Sequence, residues 1–321
     1  DMSWLKLVKV LALEIHDEFD CREDIENLLV REGFVLTPDS VSLYYSITGT
    51  GADTLITIHG GPGLHSGYLA PDMHMLESDF TMIHYDQRGS GRSELVSDPE
   101  RFSLRHYADD LEAIRKHFGL RALNLMGHSW GSVPAAFYAK WYPETTGKIA
   151  LVSSTPPRAT PYIGEFGQNL YKWMDDDTRV LVNTLQTAQR DPSQNAQETC
   201  AAFWTVFIRG YLADPMNPSV LQRSRGSHCE VSAEALRNGD LVSRHTRGHL
   251  GDWDWRGEFA DVQVPVLVLH GELDPIPFAS AREWSEAFPN AQLVTLDGTG
   301  HFPQFESAEA FAQSMLGFFA D

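Results

Sequence analysis

The chain has 321 residues, enough to bury one large core or a core with an insertion, and its 42% hydrophobic and 21% charged content is ordinary for a soluble globular protein. With 25 Lys+Arg against 44 Asp+Glu the formal net charge is -19, which excludes a general nucleic-acid or anionic-membrane partner because both need a basic face. Apolar runs stay well short of the roughly 20 residues of a membrane span. The three cysteines, Cys21, Cys200 and Cys229, are widely spaced and show no CxxC or metal-ligand spacing. No disulfide framework and no metal are therefore expected, and a reducing, cytoplasmic compartment fits.

Residues 4–15 place Trp4, Leu7, Val8, Leu11 and Ile15 on one helical face. Two lysines interrupt the run and no small-x-small cleavage site follows, so it is not read as a signal peptide. The face is expected to pack on its own domain, with a contact between copies (a homo-oligomer) or a lid as alternatives. An acidic connector, 17–26, leads to the main domain. Residues 33–47 read as a hairpin turning at Pro38-Asp39-Ser40. A short strand at 54–59 runs into the loop His59-Gly60-Gly61-Pro62-Gly63, and a strand at Phe80–Tyr85 ends at Asp86-Gln87-Arg88-Gly89-Ser90-Gly91-Arg92-Ser93. Residues 107–118 carry helical spacing, and 148–152 form a further strand.

Strands that are nearly all apolar and alternate with helices imply a parallel sheet covered on both faces. After Val152 the rhythm breaks. Residues 155–254 become helical and irregular, rich in proline and tryptophan, and read as a cap inserted over a site. Strands return at 264–271 and Ala291–Leu296, and a helix over Ala308–Phe319 closes the chain. The expected domains are an N-terminal helical extension at 1–32, a core at 33–154 and 255–321, and the cap at 155–254.

Between 123 and 132 an apolar strand meets Gly127-His128-Ser129-Trp130-Gly131 and a helix start follows. Gly-x-Ser-x-Gly between strand and helix is the pattern of a nucleophile elbow, which lifts a serine hydroxyl above a sheet. A serine hydroxyl needs a base, and the base needs an orienting acid. In the order Ser, Asp, His, the candidates after strand ends are Asp274, with Glu272 as rival, and His301. The oxyanion of an acyl-transfer intermediate needs two donors. The backbone N–H of Trp130 is one, and Gly61, chosen over Gly60, is the other.

The glycine loop, the 86–93 segment and the elbow together resemble the proline iminopeptidase family of α/β-hydrolases. That resemblance covers roughly residues 33 to 320 and implies an α/β-hydrolase fold with a mostly parallel central sheet, helices on both faces and an inserted helical cap. Asp86 and Arg88 are then expected to brace the loop rather than act in chemistry. The family's aminopeptidases grip a free amine with cap glutamates. Here the matching stretch 201–208 puts Ile208 at one glutamate position, and the weaker match 224–229 puts Gly226 at the other. An isoleucine cannot pair with an ammonium. The cap acids Glu165, Asp175, Asp176, Asp177, Glu198 and Glu230 are expected on solvated faces. Trp204, Ile208 and Arg209 are the expected substrate contacts, and Arg209, Arg223 or Arg225 could hold a substrate carboxylate. His245 and His249, four apart, could ligate a metal on a helix, but no third ligand is evident.

These readings converge on a serine hydrolase that cleaves an ester, lactone or amide of a small molecule through an acyl-enzyme, with no cofactor. A prolyl aminopeptidase acting on short peptides and a non-catalytic binding protein with the same pocket are the alternatives.

Overall fold

The structure, a computed structural model, describes residues 31–216 and 228–320. The expected helix at 4–15, the acidic connector, Cys21, Arg223, Arg225 and Gly226 lie outside the described residues.

Eight strands form one sheet in the order β1-β2-β4-β3-β5-β6-β7-β8. They are β1 (Glu32–Leu36), β2 (Ser42–Thr48), β3 (Asp53–Ile58), β4 (Phe80–Tyr85), β5 (Leu123–His128), β6 (Thr146–Val152), β7 (Val266–Gly271) and β8 (Ala291–Leu296). The first two pair antiparallel as the expected hairpin, β2 runs antiparallel to β4, and every later pairing is parallel. At the hairpin turn Thr37 Oγ1 donates to Asp39 and Ser40 takes a φ of 66°.

Alternation along the strands sorts the core into two layers. Ile56, Ile83, Leu125, Ile149, Leu151, Val266 and Val268 face one side, covered by α1 (Leu104–His117), α2 (Ser132–Trp141) and, over β7, the helix Phe278–Ala287. Leu55, Met82, Met126, Ala150, Leu267 and Leu269 face the other, with Phe311, Met315 and Phe319 of the C-terminal helix in the same cluster. Both faces are buried, as the unbroken apolar strands require.

Between β6 and β7 the chain builds α3 (Tyr162–Tyr171), α4 (Asp176–Ala188), α5 (Ala196–Phe207) and α6 (Ala233–Leu250). Their apolar centre is small, with Met174, Val182 and Phe203 packed together. Cys200 on α5 and Cys229 ahead of α6 form a disulfide, which corrects the reading of these cysteines as unpaired. They stand 29 residues apart in sequence, and only the packing of α5 against the segment before α6 brings them together. A bonded pair persists in oxidising surroundings, so cysteine usage no longer argues for a reducing compartment. No helix among the described residues is long and apolar enough to cross a membrane.

The remaining helices are α7 (Phe278–Ala287), α8 (Pro303–Glu306) and α9 (Ala308–Phe319). The carboxyl ends of β3, β5, β7 and β8 open toward the inserted helices, where a parallel sheet offers its binding crevice.

Candidate active site

β5 ends at His128, and Ser129 then turns with a φ of 54° before α2 begins. A non-glycine residue in the left-handed region costs on the order of 1–3 kcal/mol and persists only where its surroundings hold it. Two hydrogen bonds do so here, as Thr155 N and Ser132 Oγ both donate to the Ser129 carbonyl at 3.1 and 2.6 Å. The turn also needs its glycines. A Cβ on Gly127 would strike the Gly131 backbone, and one on Gly131 would strike the Ile58 carbonyl.

The loop between β3 and β4 is wired to this elbow through Gln87. Its amide donates to the His59 carbonyl at 2.7 Å, its backbone N–H donates to His59 Nε2 at 3.0 Å, and its side-chain oxygen accepts from Trp130 Nε1 at 2.9 Å. His59 Nδ1 therefore carries the ring proton and donates to Gly60 O. Burial lowers the His59 pKa to about 4, so the ring is neutral.

A second chain runs through Tyr68. Gly60 N–H donates to the Tyr68 hydroxyl at 2.6 Å, and that hydroxyl donates to His128 Nδ1 at 2.8 Å. His128 Nε2–H in turn donates to the His301 carbonyl at 2.9 Å. Burial, with His301 alongside, brings His128 down to about 3 and keeps it in the neutral tautomer this relay needs. Gly60 N–H is thus committed, while Gly61 adopts a φ of +129° and lines the cavity. That distinction favours Gly61 as an open donor.

Asp274, after β7, and His301, after β8, meet with His301 Nδ1 at 3.0 Å from both carboxylate oxygens. The Ile276 N–H adds a bond of 2.8 Å to Asp274. Burial alone would raise the Asp274 pKa, but His301, His270 and the Ile276 N–H bring it down to about 2. Glu272, the rival acid, is exposed and accepts from Gly298 N instead. Ser129, His301 and Gly61 line one cavity of about 480 Å³.

Asp86 and Arg88 brace the surroundings. Asp86 accepts from Ser66 N and Oγ and from Arg92 N, and Arg88 bridges Asp110 and Asp39.

The expected cap contacts divide. Trp204 lines the cavity and stacks on His228 at 4.1 Å, and His228 stacks in turn on Tyr68 at 4.9 Å. Ile208 does not reach the cavity lining; it is fully buried in the apolar cluster that also holds Leu212 and Phe302. Arg209 also lies outside the lining, with Nη1 3.9 Å from Met216 Sδ. The reason is that the turn Ile208–Tyr211 docks on the histidine loop, where Tyr211 O accepts from His301 N at 2.8 Å and Glu306 accepts from Ala213 N. The cap acids singled out from the sequence stay out of the lining, and Asp175 caps α4 by accepting from Thr178 N. His245 and His249 do lie on a helix, but His245 stacks on Phe102 and His249 Nε2 donates to the Pro99 carbonyl.

Sequence reasoning missed Tyr68, Tyr211 and His228, whose roles come from stacking between distant segments. It also missed Arg237, Asp240, Arg244 and Arg247, whose helical spacing was the one readable signal.

Comparison with known proteins gives four reference points. Residues 53–308 match a family described as alpha/beta hydrolase fold. The chain is 28% identical over 273 residues to a proline iminopeptidase of Clostridium botulinum, covering 84% of this chain and 92% of the relative. It is 29% identical over 290 residues to a bifunctional esterase/perhydrolase of Acinetobacter calcoaceticus, covering 89% and 99%. Among solved structures, a proline iminopeptidase of Mycobacterium smegmatis superposes with a TM-score of 0.67 at 23% identity, covering 89% of this chain and 97% of that one.

Proposed function

The chain belongs to the α/β-hydrolase family, and from that premise we propose that it is a serine hydrolase acting on a small ester, lactone or amide through an acyl-enzyme. The observation that carries the reading is the joint presence, around one cavity, of a serine held in a strained turn and a buried histidine paired to a carboxylate.

Ser129 Oγ attacks the substrate carbonyl carbon while its proton passes to His301 Nε2. Asp274 accepts from His301 Nδ1–H and, held ionised, stabilises the imidazolium that forms. The oxyanion accepts from the Gly61 and Trp130 backbone N–H groups, and Gly60 is not needed because Tyr68 already takes its N–H. Collapse of the intermediate returns the His301 proton to the leaving group. Water, deprotonated by His301, then attacks the acyl carbon and frees Ser129.

A fluorophosphonate probe is expected to label the wild-type protein and not the Ser129→Ala variant, whose kcat should fall at least about 10⁴-fold. Equal labelling of both would remove Ser129 as nucleophile, and absence of labelling in the wild type would favour a non-catalytic pocket.

The aminopeptidase reading draws on relatives that bear that name. Against it stands the lining of the cavity, whose one carboxylate among the described residues, Asp240, is already engaged by Arg190 and Arg244. A desolvated ammonium without a partner costs several kcal/mol. p-Nitrophenyl acetate is therefore expected to turn over faster than proline p-nitroanilide, and efficient proline release would reverse the order of the two readings.

A further inference from the structure

The chain is strongly acidic as a whole, yet among the described residues the cavity is lined by Arg190, Arg237, Arg244 and Arg247 against the single carboxylate of Asp240. Three of these four arginines and the aspartate come from α6. That helix has two faces, as its roughly 100° per residue allows. One face is fastened to the core. Asn238 Nδ2 donates to the Gly89 carbonyl at 2.6 Å, Thr246 Oγ1 sits 2.8 Å from the Tyr107 hydroxyl, and Val242 is buried in the core cluster. Gly239 lies so close to Gly63 of the glycine loop that a Cβ on either would strike the other's backbone. The opposite face, with Arg237, Asp240, Arg244 and Arg247, lines the cavity.

The charges on that face are unequally used. Asp240 accepts from Arg190 at 3.0 Å and from Arg244 at 3.2 Å, so those two arginines and the carboxylate form one paired group. Among the described residues neither Arg237 nor Arg247 has a carboxylate partner, and Arg237 Nε is buried without a hydrogen bond. Arg247 is exposed and lines the same cavity as Tyr211, whose ring centre is 5.0 Å from that of His301. A guanidinium on a concave wall of low dielectric concentrates field on whatever enters, and its fork matches a carboxylate.

We infer that α6 carries an anion subsite built on Arg237 and Arg247, and that the substrate is a small ester carrying a free carboxylate remote from the scissile carbonyl. This rests on the serine-hydrolase reading. It goes further in naming the substrate class, and it turns the polarity of recognition from an amine to an acid. About 15 Å of helix axis separates the two arginines, so a single carboxylate reaches one of them, and separate substitution identifies which.

The test uses two matched ester pairs. On the acyl side, 4-nitrophenyl hydrogen suberate is compared with its methyl ester. On the leaving-group side, 4-acetoxybenzoate is compared with methyl 4-acetoxybenzoate. In at least one pair the wild-type kcat/KM is expected to favour the anionic member by at least about tenfold, mostly through KM, as for a charge-assisted hydrogen bond. Arg237→Gln or Arg247→Gln should remove that preference in a protein whose melting temperature matches wild type. The corresponding lysine variant should keep part of it, and Arg121→Gln, an exposed charge away from the cavity, should leave it intact. An anionic-to-neutral ratio at or below one in both pairs, with the neutral esters still hydrolysed, overturns the subsite and leaves the hydrolase standing. A preference that survives both glutamine variants also overturns it. If no ester turns over and Ser129 is not labelled, the underlying reading fails instead. In that event thermal stabilisation by suberate, lost in the glutamine variants, still supports the anion site, and its absence removes it.

Discussion

In the floor of the cavity one connected set of polar groups is committed before a ligand arrives. Gly60 N–H, the Tyr68 hydroxyl and both His128 nitrogens form one relay ending on the His301 carbonyl, and Gln87 ties the glycine loop to Trp130. In the roof, Arg237 Nε is buried with no partner among the described residues, and the local apolar cluster comes down to a few side chains around Phe203. The floor is preorganised for one chemistry, where a misplaced donor costs rate. The roof leaves charge unspent, and such charge acts through what it binds. On the proposed reading, one region sets the reaction and the other the choice of substrate.

Four measurements bear on that contrast. The largest effect is expected from Asp274→Asn, which keeps the shape of the floor but withdraws the charge that orients His301. kcat should fall about 10⁴-fold in ester hydrolysis, as for other triad acids, and a loss under tenfold would mean the floor is not committed in the way described.

Next is removal of the Cys200–Cys229 link. In the Cys200→Ser/Cys229→Ser double variant, a bond closing a loop of this length is expected to withdraw about 3 kcal/mol from the roof. Hydrogen exchange should show lost protection in α5 while β5 and β7 keep theirs. Loss spread evenly over both regions would make them one cooperative unit.

The third outcome concerns pH and belongs to the floor. His59 and His128 are fully buried, and burial lowers their pKa values to about 4 and about 3. The unfolded chain binds a proton at each as pH falls below about 6.5, while the folded protein does not. Stability is therefore full above pH 6.5 and declines below it, by about 3 kcal/mol for the pair at pH 5.5. Thermal melts should show a midpoint lower by roughly 6 °C at pH 5.5 than at pH 7.5. A flat profile would mean that these rings carry protons in the folded state.

The smallest effect lies on the seam between the regions. Gly239→Ala pushes a methyl against the Gly63 carbonyl and so displaces the glycine loop, with an expected loss of about tenfold in kcat/KM. Gly248→Ala on the same helix has open space around its Cβ and should keep activity. Equal behaviour of the two would show that α6 and the loop move independently.

Local patterns made much of the floor readable. Glycine spacing around Ser129 announces a turn that tolerates no Cβ, and the apolar strands before Ser129, Asp274 and His301 announce where those residues emerge. The choice of Gly61 over Gly60 gained its physical reason only with Tyr68, which reaches Gly60 from a helical turn eight residues on. The roof was harder to read. Ile208 was judged by the family position it matches, but the Ile208–Tyr211 turn folds onto the histidine loop and buries it. The cap arginines weighed from sequence were Arg209, Arg223 and Arg225, whereas those lining the cavity sit on α6.

The architecture was legible in the chain, and the proposed chemistry leans on the same short-range requirements: period-two burial in strands, glycine at a strained turn, and a candidate nucleophile, acid and base each placed just after a strand. Tertiary structure alone decided the Cys200–Cys229 pairing, the orientation of α6 and the sign of the charge offered to a substrate. Those depend on which face of a helix meets the core. For α6 that face was settled by Gly239 meeting Gly63 across the cavity's edge, a contact between residues 176 positions apart that no local pattern encodes.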